Sequence, residues 1–237
     1  MRMDFHLHPL GDQAVIIELG DDITIKNHEK VKVILGKLET LSVDWLLEYV
    51  PAFTTVAVYY DPIKIGINNG KLPYDFVCDY LISILKNVKE EESVPSKVVE
   101  IPVCYGGEIG PDLPFVAEHN QLSENEVIDI HTKGEYLVYM IGFAPGFPYL
   151  GGMSEKIAAP RKDTPRLKIP EGSVGIAGKQ TGVYPIETPG GWQLIGRTPL
   201  KLFRPNEEHP SLLKAGDRIK FNSISFEYYQ HLKEDMQ

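Results

Sequence analysis

The chain has 237 residues, enough for one large or two small domains with a substantial buried core. Its 43% hydrophobic and 24% charged residues are those of an ordinary globular protein, and its net charge of −9 excludes a general nucleic-acid binder. No basic-then-apolar leader opens the chain and no apolar run is long enough to span a membrane. Cys78 and Cys104 lie in unrelated contexts without metal-ligand spacing, so free thiols in a reducing cytoplasm are expected.

Before residue 95, strand-like and helix-like stretches alternate. MDFHLH and QAVIIEL read as strands. ITIKNHEKVKVILGKLET carries Val31, Ile34, Leu35 and Leu38 at helical spacing, with Thr24 as a candidate cap. VDWLLEYV and FTTVAVYYD read as a second strand pair, closed by Asp61-Pro62. PYDFVCDYLISILKNV reads as a helix with Pro73 in its first turn and Val77, Leu81, Ile84, Leu85 and Val88 on its apolar side. Two helices among four strands predict a small α+β sandwich, the helices on one face of an antiparallel sheet, over residues 1–95. KEEESVPSK is the expected linker.

Residues 96–237 read differently. VVEIPVCY is a strand, and LPFVAEHNQLSENEVIDIHTKGEY holds two short helices. The first runs over about 114–119, and the second opens at Ser123 with Glu126 completing a capping-box pattern. From Leu137 onward come short apolar runs (YLVYMIGF, SVGIAG, GVYPIET, WQLIGRT, LKLF, RIKFNSISFEYY) with no helical period. They predict a closed or nearly closed β-barrel. YMIGFAPGFPYLGGM is uncharged and broken by four glycines and two prolines, so it is expected as an irregular apolar loop, either core edge or binding surface.

Residues 140–199 hold 11 of the 21 glycines and 8 of the 18 prolines. Between Glu155 and Arg204 nine Lys/Arg face four Asp/Glu, a local +5. A cationic, constrained loop region beside aromatics suits a small anion; a solvated basic face suits the same counts. GSVGIAGKQT resembles a phosphate loop but has five residues between Gly172 and Gly178 and Gln180 where a hydroxyl belongs, so it reads as a turn between strands. His6 and His8 share a strand face but show no third ligand, so no metal is expected. His131 is either a helix C-terminal cation or an acid–base group. Asp112 is either a helix cap or a carboxylate aimed at a ligand. Trp192 is either core or the flat wall of a pocket.

IPVCYGGEIGPDL, HTKGEYLVYMIGFAPGFPYLGGM, APRKDTPRLKIPEGSVGIAGKQTGVYPIETPGGWQLIGRTP and LLKAGDRIKF together resemble the family of the 5-oxoprolinase B subunit. That family includes the sporulation histidine kinase A inhibitor and is similar to half of the carboxyltransferase domain of urea carboxylase. The resemblance implies an N-terminal α+β sandwich and a cyclophilin-like C-terminal barrel. It implies two partners, the homologous C subunit of 5-oxoprolinase and its A subunit. It also implies ATP as co-substrate in opening 5-oxoproline to glutamate, with no cofactor held tightly by this chain alone. A lactam is an unreactive amide, so its activation and developing charge call for fixed cations and donors. Under this resemblance Arg161, Arg166, Lys168 and Lys179 hold a carboxylate or phosphate, and Gln180 donates a hydrogen bond. Trp192 forms a wall. Phe143, Phe147 and Tyr149 line a groove or partner face, and His131 and Asp112 are the acid–base candidates. A kinase-inhibitor reading, through docking on a histidine kinase dimerisation domain, stays open beside the enzyme reading. A prolyl isomerase rests on the barrel alone.

Overall fold

The computed structural model describes residues 3–66, 70–86 and 97–235. The chain divides into two compact units, Met1–Pro95 and Ser96–Gln237. The stretch expected as a linker, residues 89–97, lies outside the described residues except for Lys97, as does Val88 of the expected helix face.

The first unit contains β1 (His6–Leu10), β2 (Ala14–Glu18), α1 (Ile25–Glu39), β3 (Leu46–Pro51), β4 (Thr55–Tyr60), α2 (Pro62–Ile65) and α3 (Pro73–Leu85). Its four strands form one antiparallel sheet in the order β1-β2-β4-β3. Alternation puts Val15, Ile17, Val56, Val58 and Tyr60 on one face. Val31, Ile34 and Leu38 of α1 and Val77, Leu81 and Leu85 of α3 join them in one core. The α1 start is set as its sequence requires: the Thr24 hydroxyl accepts the Asn27 N–H at 3.2 Å. The sequence reading lacked α2. There Asp61 closes β4 and also caps a single turn, its carboxylate accepting the Ile63 N–H at 2.9 Å.

The second unit contains β5 (Val98–Tyr105), α4 (Leu113–His119), α5 (Glu124–Lys133), β6 (Tyr136–Ile141), β7 (Pro148–Gly151), β8 (Arg166–Ile169) and β9 (Ser173–Ala177). It continues with β10 (Gln180–Val183), β11 (Thr188–Gly190), β12 (Gln193–Arg197), β13 (Arg218–Ser223) and α6 (Phe226–Asp235). Seven strands close a barrel in the order β10-β7-β6-β13-β5-β12-β9. β13 and β5, the last and first of these strands in the chain, pair in parallel from Arg218↔Val98 to Ser223↔Val103. The interior is filled by Ile101, Val103, Val138, Leu150, Val174, Ile176, Ile195 and Phe221, with Val116 of α4 and Val127 of α5 packed in. The capping box forms in full: Ser123 Oγ accepts the Glu126 N–H, and Glu126 Oε2 accepts the Ser123 N–H at 2.8 Å. β8 and β11 pair outside the barrel as a two-stranded sheet.

Three expectations change here. The apolar loop contains a strand, β7, paired with β6 and β10. Its proline is the first strand residue, the position where a missing N–H is tolerated. The run RIKFNSISFEYY is β13 followed by a helix, because Ser225 Oγ accepts the Tyr228 N–H at 3.2 Å and starts α6. LKLF contributes only an isolated bridge between Phe203 and Ser211.

Candidate functional site

Asp112 stands where β5, after the turn at Gly106 and Gly107, leads into α4. Gly110 is held so close to β12 that a Cβ there would lie 2.2 Å from the Ile195 carbonyl oxygen, which only glycine permits. The Gly106 N–H donates to Ile195 O and the Asp112 N–H to Leu194 O, at 3.0 and 2.9 Å. The backbone is thus clamped along β12, and the Asp112 side chain makes no cap bond. Its carboxylate turns instead to three donors. Oδ2 accepts the Leu194 N–H at 2.7 Å, and Oδ1 accepts Arg166 Nη2 at 2.8 Å and Lys162 Nζ at 3.4 Å.

The electrostatics follow from this arrangement. Asp112 is only 6% exposed, and burial alone would raise its pKa. The Arg166 hydrogen bond, the Leu194 N–H and the charges of Arg166 and Lys162 outweigh burial and hold the carboxyl below the usual carboxylate range. Both oxygens are therefore ionised and occupied. Arg166 has a second buried nitrogen, Nη1, that makes no hydrogen bond among the described residues. A buried guanidinium donor left unpaired costs about 1–3 kcal/mol or more.

An aromatic wall lies in the same part of the unit. Phe147, Tyr184 and Trp192 pack edge to face, with centroid distances of 5.5, 5.7 and 6.3 Å, over Ile169 and Leu194. Gly182 allows the approach, since a Cβ there would meet Trp192 at 3.0 Å and Phe147 at 3.1 Å. Burial pushes the Tyr184 hydroxyl up to about 12, against the opposing pull of Arg161 and Arg166, so both cations lie near it.

The structure thus brings Asp112 and Arg166 together and adds Lys162, while Trp192 and Arg161 neighbour Tyr184; sequence reasoning selected neither Lys162 nor Tyr184. Lys162 was visible only as one of nine cations, and Tyr184 as a strand residue. Lys162 carries no local signal, because its partner Asp112 is 50 residues away in the chain. Lys168 and Lys179 stand apart in exposed ion pairs with Glu187 (3.1 Å) and Glu155 (2.8 Å), of a kind worth about 0–1 kcal/mol. Gln180 opens β10 opposite Ala177, and no hydrogen bond ties it to Asp112 or Arg166. The phosphate-loop look-alike is the β9–β10 hairpin, with Gly178 at φ +58° in its turn. His8 meets Glu18 at 2.6 Å, and among the described residues no group of three or more His, Cys, Asp or Glu could hold a metal ion. No helix among them is long and apolar enough to cross a membrane.

The three aromatics expected as one groove divide. Phe147 is core at 2% exposure, and Tyr149 is half-buried. Phe143 is 66% exposed and sits at φ +68°, the centre of a tight turn closed by the Ala144 N–H on Gly142 O at 2.8 Å. A bulky residue there is strained by roughly 1–3 kcal/mol.

His131 belongs to the barrel interior, not to this cluster. It is fully buried on α5, with its ring 4.5 Å from that of Phe221. Nε2 meets Thr181 Oγ1 at 2.9 Å, and that hydroxyl's one hydrogen already goes to Gly175 O. Nε2 must therefore carry the ring proton, and the Tyr105 hydroxyl donates to Nδ1 at 2.8 Å. Burial lowers the pKa from 6.5 to about 3, so the ring stays neutral. Both ring nitrogens are thus consumed structurally, which sets His131 apart from the Asp112 cluster. A base whose folded pKa is depressed contributes stability above its unfolded pKa and loses it as pH falls toward the folded value. The barrel should accordingly lose up to about 1.4 kcal/mol per pH unit from this group below about pH 6.5. Urea unfolding followed through Trp192, in a Trp45→Phe background, should show that slope in the parent and lose it in His131→Gln. Equal slopes would show that His131 is not buried neutral.

A family model described as "Carboxyltransferase domain, subdomain C and D" matches residues 5–213. The barrel unit and its matched span make this a carboxyltransferase-domain protein. The 5-oxoprolinase B subunit of Bacillus subtilis (strain 168) is 52% identical to it over 241 residues, which cover 99% of both chains. The 5-oxoprolinase B subunit of Escherichia coli O157:H7 is 40% identical and covers 90% of this chain and 93% of its own length. The crystal structure of a conserved uncharacterized protein from Pyrococcus horikoshii aligns with a TM-score of 0.56 at 48% identity, covering 94% of this chain and 100% of that one. The chain belongs to the 5-oxoprolinase B-subunit family.

Proposed function

We propose that this chain is the non-autonomous B subunit of an ATP-dependent 5-oxoprolinase. The complex would convert 5-oxoproline, ATP and water to glutamate, ADP and phosphate. Its other members would be an A subunit, and a C subunit that is homologous to this chain and cyclophilin-like. The first unit would be the family's α+β sandwich and the barrel its cyclophilin-like domain, working in the cytoplasm. The observation that carries the reading is identity of 52% extending over 99% of both this chain and a 5-oxoprolinase B subunit.

The cluster around Asp112 fits the substrate's chemistry. 5-Oxoproline carries one carboxylate beside a neutral lactam. Lys162 and Arg166 against Asp112 leave a local charge of +1, and the orphan Arg166 Nη1 is a donor matched to a carboxylate oxygen. In this reading Arg166 binds the anion, Asp112 is a positioning residue that fixes the guanidinium plane, and Trp192 and Tyr184 wall the site. The test is reconstitution with the two partner subunits. 5-Oxoproline-dependent ATP hydrolysis should require this chain, and the chain alone should turn over neither compound. Full coupling without it, or turnover by it alone, would remove this role.

A further inference from the structure

Tyr184 packs into the aromatic wall at 2% exposure, with Phe147 at 5.5 Å and Trp192 at 6.3 Å. A phenylalanine would fill the same space. A buried hydroxyl without partners costs free energy, so the oxygen calls for a reason beyond packing. Part of that reason is local: the Trp192 backbone N–H donates to it and sets the direction of the phenol. That bond uses a lone pair and leaves the hydroxyl hydrogen over. The phenol keeps this hydrogen at neutral pH, and among the described residues no acceptor takes it.

The hydroxyl stands on the same face as Arg166. A Cβ added at Gly190 would lie 2.5 Å from the Tyr184 hydroxyl oxygen, so the hydroxyl fills the place that a side chain at 190 would take. Gly190 of β11 is the antiparallel partner of Arg166 on β8. Side chains of such a pair emerge on one face, with Cβ atoms about 4.5–5.5 Å apart. The absence of a side chain at 190 therefore brings the Tyr184 hydroxyl to the face from which the Arg166 side chain leaves. There Arg166 Nη2 is committed to Asp112 at 2.8 Å, and Nη1 is unpaired among the described residues.

Arg166 Nη1 and the Tyr184 hydroxyl are both donors. A pair of donors on one face matches a group with two acceptors. The lactam edge of 5-oxoproline has one acceptor, its C=O, and one donor, its N–H, so that edge would set a donor against a donor. The carboxylate has two acceptor oxygens and a charge opposite to that of the guanidinium. We propose that Tyr184 is a substrate-binding residue: its hydroxyl and Arg166 Nη1 each take one oxygen of the substrate carboxylate, which sets the end by which the substrate is held. This inference rests on the 5-oxoprolinase reading of the site, and adds to it a second hydrogen bond and an orientation.

The experiment is steady-state kinetics of 5-oxoproline-dependent ATP hydrolysis by the complex reconstituted with its two partner subunits. Tyr184→Phe should raise KM for 5-oxoproline at least about tenfold, the loss expected for one hydrogen bond to a charged group, with kcat within about twofold of the parent. Gly190→Ala keeps the hydroxyl but displaces it, and should raise KM in the same direction; it decides the matter if Tyr184→Phe does not assemble. A hydroxyl kept only for the Trp192 N–H would behave differently. Its loss would lower the melting temperature and the fraction of active complex, which lowers apparent kcat and leaves KM in place. Parent-level KM in an active Tyr184→Phe complex, with or without a fall in kcat, would overturn the inference and leave the 5-oxoprolinase reading standing. A parent complex with no 5-oxoproline-dependent hydrolysis would remove that reading and this inference together.

Discussion

Asp112→Asn should lower the stability of the barrel unit by about 3–5 kcal/mol, the cost of leaving a buried charge without its counter-charge. The carboxylate is 6% exposed and accepts from Arg166, Lys162 and the Leu194 backbone. An amide has one acceptor oxygen where three donors converge, so its NH2 group must face a donor whichever way it is turned. Arg166, already carrying one unpaired nitrogen, would lose its remaining charged partner. Removing both charges should do less harm. Asp112→Asn combined with Arg166→Met should recover a large part of the loss, because the desolvated cation is gone too. The measurement is urea unfolding read through Trp192, as a double-mutant cycle. A loss within about 0.5 kcal/mol for the single change would place Asp112 among ordinary surface pairs.

Phe147→Ala should cost about 3–5 kcal/mol, and Phe143→Gly should cost nothing or stabilise by about 1 kcal/mol. The two rings are four residues apart and touch at 5.4 Å, yet their situations are opposite. Phe147 is buried and packs on Tyr184, Trp192 and Tyr149, so truncation leaves a cavity that rigid neighbours cannot close. Phe143 is mostly exposed in a backbone conformation that glycine adopts without strain. The readout is again the unfolding free energy of the Trp192-reporting transition. Equal losses for the two variants would contradict the division between a core and a surface aromatic.

Local structure was legible where the signal was local. Thr24 before a helical apolar period, and Ser123 three residues before Glu126, set helix starts that the folded chain uses. Alternating β2 and β4 became the sheet that buries Val15, Ile17, Val56 and Val58. The misses came from residues whose tertiary setting overrides propensity. Gly151 argues against a strand, but in β7 it makes room for the Tyr139 ring, which a Cβ would meet at 1.9 Å. The aromatic run of α6 carries β propensity, and the Ser225 cap at its start is a signal that the aromatic pattern masks. The candidate site was half legible. Arg166 and Asp112 could be chosen by type, but their pairing spans 54 residues and the Leu194 bond 82, separations that no local pattern encodes. Asp112 therefore stayed open between a helix cap and a ligand-facing carboxylate. His131 read as either a helix-end cation or an acid–base group because nothing nearby shows that its face of α5 packs on Phe221.

Arg166→Lys in the reconstituted complex tests the central claim most directly, because it keeps the charge and removes the two-nitrogen geometry. One guanidinium nitrogen holds Asp112 and, in the proposed reading, another meets the substrate carboxylate; a lysine ammonium is a single point charge and cannot be shared in that plane. The account predicts that 5-oxoproline-dependent ATP hydrolysis falls at least about tenfold in kcat/KM, equal to roughly 1.4 kcal/mol, while assembly of the complex stays at the level of the parent. Activity retained at the parent level in an assembled Arg166→Lys complex would contradict it.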